Sequence, residues 1–220
     1  MRSNILKKRR GRELSVIIEH LEPVLGEWIW LEYRHVSKMV GRDGILFTNV
    51  TDRREASKLR EIGEVQRDSI VNLIDPINSP MIVLDPQALE QVSPTDFVHS
   101  TCLVVGGILG DHPPKGRTKQ AITSKMRNSQ SRNLGEHQFS VDGAVYMALQ
   151  VASGKQIAEI PIIDGIEVTI NEHYTNLLPF AYPLIKERPL LAPGLRQYLK
   201  RGIIRDEEIL FRTGRPRTIV

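Results

Sequence analysis

Residues 104–114 read VVGGILGDHPP, an apolar run that gives way to three glycines, an acid, a histidine and two prolines. Gly106, Gly107 and Gly110 leave peptide amides uncovered by side chains and let the backbone approach a small molecule closely. Asp111 and His112 add ionisable groups at the lip, and Pro113 and Pro114 stiffen the exit. A tight turn that merely reverses the chain would need none of these groups, so the combination points to a ligand site. A second stretch of the same kind, residues 131–142 (SRNLGEHQFSVD), again sets a glycine and polar groups just ahead of an apolar run.

These loops need strands and helices to position them. Residues 102–105 carry the apolar, β-branched signature of a strand covered on both faces, so the glycines fall at its carboxyl end, where open α/β sheets bind ligands. Residues 14–18 form a first strand ending at Glu19 and His20. After Pro23 and Gly26, Trp28, Leu31, Tyr33, Val36, Met39 and Val40 recur at helical spacing over 27–40, with Gly41 closing the helix. Residues 45–50 give a second strand, Asp52 and Glu55 a helix start, and Gly63 a helix end. Residues 81–84 are a third strand stopped by Asp85 and Pro86, and 65–80 holds a short strand or a loop. Residues 117–126 offer a helix with a basic exposed face, and Ser140 caps another over 141–152, stopped by Gly154.

Beyond residue 157 come a β-rich pair at 160–163 and 167–170, then a tail punctuated by Pro179, Pro183, Pro189, Pro193 and Pro216. Alternating strands and helices predict an α/β fold, a mainly parallel sheet with helices on both faces. The expected division is a basic tail (1–13), one domain (14–180), and an extension (181–220) wrapped on that domain.

Composition narrows the function classes. With 40% hydrophobic and 25% charged residues over 220 positions the chain is ordinary globular protein. No apolar run is long enough to span a membrane, and Val16, Ile17 and Ile18 are too short a core for a signal peptide, so a cytoplasmic protein is expected. The net charge of +4 is concentrated at the ends, in Lys7, Lys8, Arg9, Arg10 and Arg12 and in Arg212, Arg215 and Arg217. Such ends suit RNA or ribosomes, or are simply solvated tails. Aromatics, at 5%, do not interleave with the basic residues, which argues against a base-stacking platform. Cys102 stands alone and the six histidines show no metal-binding spacing, so neither a disulfide framework nor a metal site is expected. Phosphate-loop, dinucleotide and serine-nucleophile motifs are likewise missing.

The GGILGDHPP run with Arg117 and Thr118, then Arg132, Leu134, Gly135, Gln138 and Asp142, resembles the paired signature of a SPOUT-class S-adenosylmethionine-dependent methyltransferase family of archaea and fungi. Residues 17–22 (IIEHLE), with Glu27, Trp28, Leu31, Glu32 and Tyr33, are similar to the family's N-terminal segment, and Leu84, Asp85 and Pro86 to its strand-end motif. Phe139, Ser140 and Val141 stand where the family has Met-Thr-Thr.

The resemblance implies a C-terminal trefoil knot and a metal-free reaction with S-adenosylmethionine bound bent in loops at strand ends. Its lining would be Leu84, Asp85, Gly106, Gly107, Gly110, Asn133, Leu134, Gly135, Gln138, Phe139 and Ser140. It implies a ribosomal protein or ribosome as partner, because a fungal member methylates an arginine of a small-subunit ribosomal protein. An RNA substrate is the alternative, and a non-catalytic ribosome- or RNA-binding module a third reading. Monomer and homodimer both stay open. For an arginine substrate, Glu19 and Asp111 are the carboxylates to clamp a guanidinium, with His20 or His112 as proton acceptor. Against these stand a solvated strand end for Glu19, a loop brace for Asp111 and a structural His112. Arg132 is either a partner for a carboxylate in the site or a surface ion pair, and Asp142 a first-turn dipole partner.

Overall fold

The computed structural model describes residues 14–73, 80–97, 101–110, 113–170 and 175–220, so Asp111 and His112 lie outside the described residues. Six parallel strands form the main sheet: β1 (Leu14–His20), β2 (Ile45–Thr48), β3 (Glu64–Val65), β4 (Met81–Leu84), β5 (Thr101–Gly107) and β6 (Gln130–Arg132). Their spatial order is β3-β2-β1-β5-β4-β6. Side chains alternate across the sheet as a period of two demands. Val16, Ile18, Leu103 and Val105 face a core shared with helices α1 (Glu27–Val40), α2 (Arg53–Leu59) and α3 (Val141–Ala152). Ile17, Cys102 and Val104 face the other way, onto Ile70, Ile122 and Met126.

Helix boundaries follow their local signals. Gly41 closes α1 at φ +75°. Asp52 accepts from the amides of Arg54 (2.7 Å) and Glu55 (3.1 Å) at the start of α2, which ends at Leu59, ahead of Gly63. Residues 60–63 form the turn into β3, a two-residue strand inside the 65–80 region and its N-terminal flank. Ser140 caps α3, accepting from the Gly143 amide.

Two expectations change. Residues 117–126 do not form an α-helix; they contract to a single π-helical turn at Lys119–Thr123, closed by a bond from the Ser124 amide to the Lys119 carbonyl (2.9 Å). Ile122 is the turn's one buried residue, too little apolar contact to fasten a longer helix. Among the described residues, the second face of the sheet is covered by this turn and a 3-10 turn at Ile70–Asn72. The segments at 160–163 and 167–170 are not two strands but parts of one, β7 (Ile162–Thr169), bulged where Gly165 takes φ +72°.

β7 pairs antiparallel with β8 (Thr175–Ile185), which pairs with β9 (Arg188–Pro189). The division after residue 180 thus falls inside β8. Helices α4 (Leu195–Arg201) and α5 (Ile203–Thr213) follow, and Leu195 and Leu199 join Val168, Leu178 and Tyr182 in a core that also takes Leu31 of α1. The Ile219 amide closes the chain onto the Leu25 carbonyl (3.0 Å).

The loop after β4 clasps the segment at β6. Asp85 N donates to Arg132 O, Asn133 N to Glu90 O, and Val92 N to Asn133 O, all within 3.0 Å. Part of the path that the expected knot would take lies in residues 98–100 and 111–112, outside the described residues.

Gly107 is a glycine for a packing reason. A Cβ there would overlap the Tyr33 hydroxyl and come within 2.9 Å of Ile18 Cγ2, and Tyr33 is fully buried. Gly107→Ala is expected to lower stability by roughly 1–3 kcal/mol, the usual cost of overpacking a closed core, measured as a reduced urea midpoint at unchanged denaturant slope.

Candidate active site

The parallel register brings the strand ends level: Leu84 pairs with Val105 and Arg132, and Glu19 with Gly106. Beyond the ends of β4, β5 and β6 lies an open pocket, at the carboxyl edge of the sheet where α/β folds bind ligands. Its walls are Leu84, Val105, Ile108, Leu134, Phe139 and Ala144, with Gln87, Thr118, Gln138 and Ser140 as polar points. Three turns make it: the turn after β4, the glycine loop after β5, and the turn between β6 and α3.

Among the residues expected to line a cofactor, Leu84, Asp85, Gly106, Gly110, Leu134, Gln138, Phe139 and Ser140 do line this pocket. Gly110 is held close: an added Cβ would overlap the Gln138 amide nitrogen and reach 2.7 Å from Phe180 Cε1. Asp85 is buried, and its Oδ1 accepts from the Gln87 amide (2.9 Å), tightening the turn. Gly107, Asn133 and Gly135 are not among the lining residues. Gly107 packs on Tyr33, while Asn133 bridges the Ala88 carbonyl and the Gly135 amide (both 2.9 Å) and so braces the clasp.

Of the expected carboxylate clamp, Asp111 lies outside the described residues and Glu19 is placed otherwise. Glu19 is 1% exposed, and its oxygens are taken up by the Thr48 and Ser69 hydroxyls (both 2.5 Å) and the Ile70 amide (3.0 Å). His20 is buried against Tyr33, its Nδ1 3.0 Å from the Tyr33 hydroxyl and its Nε2 3.7 Å from Glu55 Oε2. Neither lines the pocket. Burial pushes the His20 imidazole down to about 4, so it is neutral at physiological pH.

Arg132 resolves as an ion pair. Its Nε lies 3.0 and 3.1 Å from the Asp96 oxygens and its Nη1 2.9 Å from Glu90, although the side chain also borders the pocket. Burial works against the Asp96 charge, yet hydrogen bonds from Arg132 and Ser93 hold its carboxyl below the usual range. Arg117 donates to Glu22 (3.1 Å) and to the Leu109 carbonyl, and Glu22 also accepts the Leu109 amide (2.9 Å), which fixes the glycine loop.

Asp142 is more than a dipole partner. Buried at the start of α3, it accepts from Ser140 (2.7 Å) and the Gly143 amide (3.0 Å) and meets His35 Nδ1 at 2.7 Å. Glu32, beside it, accepts from Trp28 Nε1 (2.7 Å) and the Val141 amide (3.0 Å), and burial together with Asp142 raises its carboxyl well above the usual range. The first amides of α3 are therefore held by protein groups rather than aimed into the pocket. His137 lines the pocket and was not singled out by sequence, because a lone histidine without a metal spacing carries no local signal.

A model of the family described as "Protein arginine N-methyltransferase SFM1-like" matches residues 15–206. The chain belongs to this family. The protein arginine N-methyltransferase SFM1 of Saccharomyces cerevisiae is 30% identical to this SFM1-like chain over 207 residues, covering 86% of the chain and 95% of the relative. The crystal structure of yeast SFM1 complexed with SAM superposes with a TM-score of 0.78 at 27% identity, over 90% of this chain and 95% of that one. A dual-specific Trm10 from Thermococcus kodakaraensis shares the fold alone, with a TM-score of 0.52 at 15% identity over 66% of this chain and 96% of that one. The mainly parallel α/β sheet of the SFM1-like chain thus shares its fold with that Trm10 structure. No helix among the described residues is long and apolar enough to cross a membrane, and these residues contain no cluster able to hold a metal ion.

The buried imidazole sets a pH dependence. Because the folded-state pKa of His20 is about 4 against an unfolded value of 6.5, its contribution is intact above pH 6.5 and is lost as pH falls toward 4. The full loss is on the order of 3 kcal/mol. Urea unfolding at pH 7 and pH 4.5 is expected to show a steeper loss in the wild type than in His20→Gln, and parallel losses would contradict it.

Proposed function

We propose that this protein is an S-adenosylmethionine-dependent methyltransferase acting on an arginine of a protein substrate. The observation that carries the reading is the pocket built from the ends of β4, β5 and β6, in a chain belonging to the arginine N-methyltransferase family. The residues present fit the cofactor. Apolar faces of Leu84, Leu134 and Phe139 suit an adenine ring, Gly106 and Gly110 let the backbone close on it, and Asp85, Gln138 and Ser140 offer polar contacts at the edges. When bound, the cofactor supplies an electrophilic methyl group on a sulfonium.

The chain's own work is alignment and charge control. Direct displacement asks for a nucleophile held in line with the methyl group and for a wet-free, ordered wall around it. Of the three cations that line the pocket, Arg117 is neutralised by Glu22 and Arg132 by Asp96 with Glu90, while the carboxylate of Asp85 stands in the same lining as Lys115. A site so balanced accepts a cationic cofactor beside a cationic guanidinium, whereas unpaired arginines would repel both and favour a nucleic-acid phosphate. This supports a protein over an RNA substrate. The basic clusters at residues 7–12 and at Arg212, Arg215 and Arg217 support work beside ribosomes in the cytoplasm, on a protein of the translation apparatus.

Purified protein incubated with methyl-labelled cofactor and ribosomes is expected to leave label that survives RNase and is removed by protease. Label lost with the RNA would overturn the protein substrate, and no label with no cofactor binding would overturn the enzyme. Gly110→Val is expected to weaken cofactor binding at least tenfold by calorimetry, about 1.4 kcal/mol, because the side chain displaces Gln138 and Phe180.

A further inference from the structure

The methyl acceptor nitrogen must lose a proton, and neither Glu19 nor His20 reaches the pocket to take it. His137 does line the pocket, and its Nδ1 lies 2.8 Å from Asp164 Oδ1. Exposed histidine–carboxylate pairs are ordinarily weak and loosely held. This one is tethered through the backbone on both sides. Asp164 pairs with Ala181 in the β7–β8 register and sits at the bulge before Ile166. Ala181 N in turn donates to the Gln138 carbonyl (2.8 Å), and Phe139 bridges to Ala181. Strand β8 thus fixes the turn carrying His137 against the strand carrying Asp164, and a bulge beside a pocket is a device that re-aims a side chain.

We propose that His137 is the general base of the methyl transfer, with Asp164 as its positioning residue; this rests on the methyltransferase reading above. With Nδ1–H donating to Asp164, Nε2 carries the lone pair. The guanidinium nitrogen's electron pair forms the N–CH₃ bond, the C–S bond breaks with its pair going to sulfur, and the proton on that nitrogen passes to Nε2. Once methylated and tetrahedral, that nitrogen is strongly acidic, so an imidazole is base enough, and the product guanidinium keeps its single positive charge. Asp164 from β7 is the charged group paired with the ring, while Asp85, Lys115, Arg117 and Arg132 line the same pocket.

The test measures the pH dependence of kcat with labelled cofactor and ribosomes, and cofactor Kd by calorimetry. Wild-type kcat is expected to rise with pH to a plateau. His137→Gln should lose about 100-fold or more in kcat, lose that limb and bind cofactor within twofold of wild type. Asp164→Asn should lower kcat, because the ring loses the carboxylate that orients it, with KM and cofactor Kd unchanged. In the cofactor-free protein, nitrogen NMR is expected to find His137 protonated at Nδ1, with that preference lost in Asp164→Asn. A His137→Gln enzyme with wild-type kcat and pH profile, or a ring protonated at Nε2 alone, would overturn the proposal. A wild-type enzyme that labels nothing would instead overturn the methyltransferase reading, whatever the NMR shows.

Discussion

A carboxylate accepting a backbone amide is the interaction on which this structure rests. Glu55 holds the Leu25 amide, Glu19 that of Ile70, Glu22 that of Leu109 and Glu32 that of Val141. Each bond fixes a loop or helix start that borders the sheet's carboxyl edge, and three of the four acids are buried. Where the acid is ionised such a bond contributes about 1.5–3 kcal/mol, and about 0.5–1.5 kcal/mol where it is neutral, the form that burial favours for Glu32. The former exceeds what an exposed pair such as Lys58–Glu61 supplies, so the pocket is shaped chiefly by acids that never face its ligand.

Arg132 complements these acids from the other side. Its guanidinium ties Asp96 and Glu90 to the end of β6, closing the loop after β4 around that strand. One wall of the pocket is therefore made by a loop whose own residues form little regular structure. With Arg117 engaged by Glu22, the same economy leaves a wall of nearly balanced charge around a cavity suited to cationic chemistry.

Much of this was legible in the sequence. The β-branched runs, the caps at Asp52, Ser140 and Gly41, and the glycine loop all carry local chemistry that fixes local structure. The resemblance added the pairing of two distant loops, and most residues it named do border one pocket. What escaped is non-local. Pro179 and Pro183 read as breaks, yet both lie within β8, because a strand tolerates proline where no ladder amide is required. Glu19 has the composition of an active-site acid, and only the fold reveals Thr48, Ser69 and Ile70 around it. Gly107 belongs to the conspicuous glycine run, but Tyr33, far away along the chain, explains it. The meeting of His137 with Asp164 depends on a bulge and a strand register that no spacing encodes.

Cys102, the chain's one cysteine, faces the sheet core beside Val104 and is 4% exposed. A thiol so enclosed stays silent toward alkylating reagents and oxidants while the domain is closed. The native molecule therefore carries its own gauge of global opening, in which the rate of thiol capture follows the central strands coming apart without any introduced label.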